Sequence, residues 1–145
     1  MARTTKRAAP RRRRLAVDEA LLAVLIAAMN ANEHVSAAEA ERAHNIIWSM
    51  RRFRRRSGET VGRLIQDARA LIEAEGEQAV VARAARTIPA GLRAPALAVA
   101  ADLVLEDGTM DRAERTFLAY LTRELDVDPQ VSNEIIRVMK MKNGA

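Results

Sequence analysis

The stretch that decides the fold is "AVAADLVLEDGTMDRAERTF", residues 98–117. An apolar run ends at Glu106-Asp107-Gly108, Met110 follows alone, and Asp111 stands three residues ahead of Glu114. Glycine closes a helix by taking a left-handed conformation. An acid or hydroxyl with Glu three positions on is a capping box that opens the next helix. The stretch therefore predicts two helices joined by a short polar turn. The pattern recurs earlier, in "AVLIAAMNANEHVSAAEAER", residues 23–42. Laid over one another, the two place Asn32 on Asp107, Val35 on Met110, Ser36 on Asp111 and Glu39 on Glu114. Both read as apolar helix, polar turn, one apolar residue, N-cap, capping-box Glu and helix. We expect two related helical hairpins, packed face to face about a pseudo-twofold axis.

Working outward, residues 17–31 favour helix and are apolar on nearly every face, as in a helix buried within a bundle. A second helix starts at the Ser36 box, runs through Ile46, Ile47, Trp48 and Met50, and is expected to stop at Gly58. A third covers residues 60–75, with Val61, Leu64, Ile65, Ala68, Leu71 and Ile72 at helical spacing. A fourth, residues 77–88, ends before Pro89. A fifth spans 91–106, with Pro95 near its start marking either the first true turn or a kink. A sixth follows Asp111, and Pro129 opens a seventh over residues 130–141. No stretch alternates as a strand does. The expected class is all-α, a compact bundle of about seven helices.

Composition agrees. Hydrophobic residues make up 49% and aromatic residues 3%, so the core must be aliphatic and Ala-rich, which suits closely packed helices. The absence of cysteine excludes disulfides, thiol catalysis and zinc-thiolate sites. The net charge of +5 is unevenly placed: Arg3, Lys6, Arg7, Arg11, Arg12, Arg13 and Arg14 supply seven positive charges without an acid, which leaves the rest mildly acidic. Such a run does not fold alone. Residues 1–16 are expected to be a disordered basic arm and residues 17–142 one domain. The arm followed by "LLAVLIAAM" resembles a secretion signal, but Asp18 and Glu19 interrupt it and nine apolar residues do not span a bilayer. A cytoplasmic location is expected.

The turn at Asp107 also carries chemistry. With Gly108 at position 6 of an EF-hand loop, Asp107, Asp111 and Glu114 fall at positions 5, 9 and 12. Positions 1 and 3 become Leu103 and Leu105, so a true EF-hand is rejected. Helix closure and capping explain most of the motif. Yet residues 102–128 hold eight acids against three bases. If the hairpins face one another, Asn32, Glu33 and Glu39 approach the same cluster, and clustered carboxylates favour a cation. Because every ligand is oxygen, the ion would be a hard divalent cation, calcium or magnesium.

"IPAGLRAPALAVAADLVLEDGTMDRAERTFLAYLTRELDV", residues 88–127, resembles the C-terminal half of the tellurite-resistance TerB family. The shared features are a hydrophobic helix, Asp-Gly, an acidic cap with its Glu, and a helix with Phe-Leu and a closing Leu. "LLAVLIAAMNANEHVSAAEAER" is similar to the family's N-terminal half in degenerate form. The resemblance covers residues 17–140. It implies a compact, seven-helix, pseudo-twofold bundle and a metal-binding acidic surface at Asp107, Asp111 and Glu114, with Asp102 as a helical neighbour. It implies a role in tellurite and general stress resistance and no catalysis. Ala27 stands where Asp102 stands, and Asn32-Glu33 replaces Asp-Gly, which argues against a metal site in the first half.

Other chemistry is sparse. His34 and His44 lack metal-ligand spacing, and no nucleophile elbow, phosphate loop or HExxH motif occurs. An enzyme with a small-molecule substrate is not expected. A second basic run supplies Arg51, Arg52, Arg54, Arg55 and Arg56. It closes a helix, where arginine complements the dipole. With Arg11, Arg12, Arg13 and Arg14 it forms two clusters suited to an anionic membrane face or to nucleic-acid phosphates. Two readings follow. One is a non-enzymatic stress-response module that binds a protein partner or senses a divalent cation. The other is a basic accessory protein that acts through its arm on nucleic acid or an anionic membrane.

Overall fold

Residues Val17–Asn30 form α1, and they run through the middle of the molecule. From Ala20 to Ala28 every side chain is essentially sealed from solvent. Burying each of Leu21, Leu22, Leu25 and Ile26 contributes about 1.5–3 kcal/mol. The all-round apolar pattern thus has the burial it requires. The computed structural model describes residues 14–31, 37–106 and 108–144, with backbone alone for 37–40. The further elements are α2 (Ala37–Ser49), α3 (Arg51–Arg54), α4 (Gly58–Glu75), α5 (Glu77–Thr87), α6 (Ala90–Val104), α7 (Arg112–Glu124) and α8 (Pro129–Asn143).

Among the described residues regular structure is entirely helical, in eight helices of which α3 is a single turn. Helices α4, α5 and α6 pack around α1. The apolar α6 is the second central element, because its other sides receive α2, α7 and α8. The amphipathic α4 buries Val61, Ile65 and Ala68 against α1, as its spacing predicts. Gly76 turns the chain between α4 and α5 at φ 87°, and Arg83 donates to Glu75 at 2.8 Å across that corner.

Three expectations change. The second helix does not run to Gly58: it ends at Ser49, and Met50 is extended. That break swings Phe53 fully into the core. Gly58 does not stop a helix but begins one, capped by Ser57, whose hydroxyl accepts from the Thr60 N–H at 3.1 Å. Pro95 lies inside α6, which already starts at Ala90. It removes the bond to the Gly91 carbonyl, and Gly91 is exposed, so water can satisfy that oxygen. The Asp111 cap and the Pro129 start are as expected. Residues 32–36, which carry the first of the two matched turns and its Ser36 cap, lie outside the described residues. The pseudo-twofold relation is not shown. No described helix is long and apolar enough to cross a membrane.

Candidate functional site

The four carboxylates singled out in the sequence are not equivalent in the structure. Asp111 and Glu114 serve one another's backbone at the start of α7. The Asp111 carboxylate accepts from the Glu114 N–H at 2.8 Å, and the Glu114 carboxylate accepts from the Asp111 N–H at 3.1 Å. This capping box satisfies two of the donors a helix start leaves open. Asp102 is buried on α6, and both its oxygens accept from Lys142 Nζ at 3.0 Å. Asn143 Nδ2 adds a third hydrogen bond at 2.9 Å. The Lys142 ammonium thus stands where the cluster needed positive charge. Asp107 lies outside the described residues, as do Asn32 and Glu33, while Glu39 is described in backbone only. Among the described residues no three His, Asp or Glu side chains gather as cation ligands do.

The end of α8 seals this corner. A Cβ on Gly108, at φ 76°, would lie 2.9 Å from the Gly144 Cα and 3.1 Å from the Asn143 carbonyl oxygen. Asn143 Oδ1 also accepts from Arg42 at 3.1 Å, and Arg42 faces Glu106 at 3.7 Å. One short segment therefore ties α2, α6 and the turn after α6 together.

The basic residues divide as well. Arg52 and Arg56 both pair with Asp18, a buried carboxylate in the first turn of α1. Arg51, Arg54 and Arg55 are exposed, and so is Arg14. Arg11, Arg12 and Arg13 lie outside the described residues. His44 is exposed on α2, as expected of a surface histidine, and His34 lies outside the described residues. Sequence reasoning used Asp18 only to reject a secretion signal. The signal it missed was an acid facing inward from the first turn of an apolar helix, in a chain with a run of arginines to meet it.

It also missed a concave feature between α7 and α8. Helices α7 and α8 both pack on α6 and are not a principal packing pair with each other. Between them lies a groove of about 860 Å³. Its floor is Leu118, Ala119 and Ile136, with Met110 at one end. Thr122 and Ser132, both buried, hold the floor at the end nearer the connection to α8. Thr122 Oγ1 donates to the Leu118 carbonyl at 2.7 Å, so at 2.8 Å Ser132 is left to donate to Thr122. The rim is Arg115 and Arg123 on α7, and Arg137 and Lys140 on α8. All four are exposed, none pairs with a described acid, and no described Asp or Glu lines the groove. Small residues at 119 and 132, with basic residues at helical spacing beside them, are the sequence signal for it. A smaller cleft of about 250 Å³ lies between the start of α5 and α7. There burial pushes Glu77 above the ordinary carboxylate range, and Tyr120 donates to the Gln78 carbonyl at 3.1 Å.

Comparison with known proteins gives no relative: no family model matches the chain, and neither does any curated protein or solved structure. What stands is an all-helical domain without a family assignment.

Proposed function

We propose that this protein is a non-enzymatic binding module whose working face is the groove between α7 and α8. The observation that carries the reading is how the polar groups are used. Three of the four carboxylates first suspected of holding a cation are engaged: Asp111 and Glu114 cap α7, and Asp102 fastens α8 to α6. The rim cations of the groove have no such structural use among the described residues. The protein-partner reading therefore takes precedence over the cation-sensing one. The link to tellurite and general stress resistance rests on the sequence resemblance over residues 17–140 alone.

The test is site-specific photocrosslinking in the producing cell, with the reactive residue at position 133 on the groove rim and, as control, at the exposed position 69 on α4. A discrete adduct from 133 alone, suppressed by excess parent protein but not by an Arg123→Glu, Arg137→Glu variant, is the expected result. Equal adducts from both positions, or none from 133, refute the groove as working face.

A second reading has its own observation. Arg51, Arg54 and Arg55 are exposed together on and beside the single turn of α3. These three, and separately the charges of the basic arm, suit phosphate-bearing surfaces. Deleting residues 1–14 separates the two: it leaves a groove-mediated interaction intact and abolishes binding to anionic vesicles or nucleic acid.

A further inference from the structure

We infer that the α7–α8 groove takes one turn-rich class of partner: an amphipathic helix whose apolar stripe is flanked by acidic residues. The inference rests on the groove being the working face and goes further by naming what lies in it. Length comes first. Helices α7 and α8 have 13 and 15 residues. At about 1.5 Å per residue they offer a trough of roughly 20 Å, or three to four turns of a docked helix. The two helices run antiparallel. The Thr122–Ser132 bond joins them at the connection, and Gly108 abuts Gly144 at the far end.

The chemistry of the walls comes second. Leu118, Ala119 and Ile136 present an apolar floor on which residues at i, i+3, i+4 and i+7 of a helix can be laid. Met110 closes one end with an unbranched, adaptable side chain. Ala119 is exposed although apolar, so the floor is open rather than filled.

Charge selects among occupants. The four rim cations stand on both walls and along the whole length, with Arg115 and Lys140 towards one end, Arg123 towards the other and Arg137 between. An acyl chain with one anionic headgroup would use cations at one end only. A helix with acids on both flanks meets all four. The chain's own arm is unsuited, because its seven positive charges match the rim in sign. Complementary charge of this kind sets partner choice and association rate, and it weakens with added salt.

The experiment selects from a phage-displayed library of randomised amphipathic helices about four turns long, on the immobilised full-length protein. Enriched peptides are then synthesised and measured by fluorescence anisotropy. Acidic residues are expected to be enriched on the flanks of the apolar stripe. Binding is expected to fall at least tenfold in Arg123→Glu, Arg137→Glu and again in Ala119→Trp, which fills the floor from an exposed position, with the melting temperatures of both variants near the parent's. Raising salt should weaken binding to the parent. Peptides without acidic flanks, peptides that bind the Ala119→Trp variant equally well, or saturable palmitate binding with no enriched helix would each overturn the inference. So would dimerisation of the parent that Ala119→Trp abolishes, since the occupant would then be a second copy. Should crosslinking from position 133 succeed while acidic helices fail, the groove remains the working face and only the named occupant is wrong.

Discussion

At the scale of single residues, the turn after α6 shows how one side chain can be claimed by two explanations. Asp111 was attractive as a cation ligand and as a helix cap, and in the structure it caps. Asp111→Ala should cost about 0.5–2 kcal/mol, seen as a lowered melting temperature; an unchanged midpoint would mean the cap contributes nothing. Gly108 has a double constraint. Its positive φ costs a residue with a Cβ about 1–2 kcal/mol, and that Cβ would meet the Gly144 backbone at 2.9 Å. Gly108→Ala should therefore destabilise by more than the conformational cost alone, and removing residues 144 and 145 from the same variant should recover part of the loss. Glu77 gives a pH-dependent case. Burial raises its folded-state pKa, so the folded protein holds that proton more tightly than the unfolded chain. The stability that follows is present at acid pH and is lost as pH rises through the raised midpoint. Relative to Glu77→Gln, the parent should lose stability across that interval, and parallel curves for the two proteins would refute it. The glycine turn and the cap were legible in residues 98–117. The Gly144 contact was not, because it joins segments distant in the chain.

At the scale of elements, the instructive one is α3. A run of arginines from 51 to 56 reads as the charged end of one long helix. The structure breaks the helix at Met50 instead, because two long-range demands outweigh local helix propensity. Phe53 enters the core, and Arg52 and Arg56 reach the buried Asp18 carboxylate on α1. Phe53→Ala should cost about 3–5 kcal/mol. Asp18→Ala should cost less, about 1.5–3 kcal/mol, the worth of hydrogen bonds to a charged group, since the released arginines are half-exposed and regain water. A double-mutant cycle between Asp18→Ala and Arg52→Ala reads the coupling directly, and additive effects would show that the pair does not hold α3 in place. Helices α5, α7 and α8 followed from spacing, caps and breakers alone, and so did the buried face of α4, though not its start at Gly58. Each is amphipathic and its boundaries are set by nearby residues.

At the scale of the whole molecule, α8 is fastened at its end by Lys142 and Asn143 on Asp102. With Lys142 occupying that carboxylate, millimolar calcium or magnesium should leave the melting temperature where EDTA leaves it. A cation-dependent rise that Asp111→Asn with Glu114→Gln removes would reinstate the cation reading. The amino-acid sequence determined the class, the central burial of α1, the cap at Asp111 and the start of α8. Those features depend on periodicity and on residues within a turn of one another, where backbone geometry and side-chain chemistry decide the outcome locally. Only the tertiary structure decided the partners of Asp18 and Asp102, the break before α3, and the groove left where α7 and α8 rest on α6 rather than on each other. Each of these is a competition between groups far apart in the chain. Burial and charge pairing settle it, and no local pattern records the result.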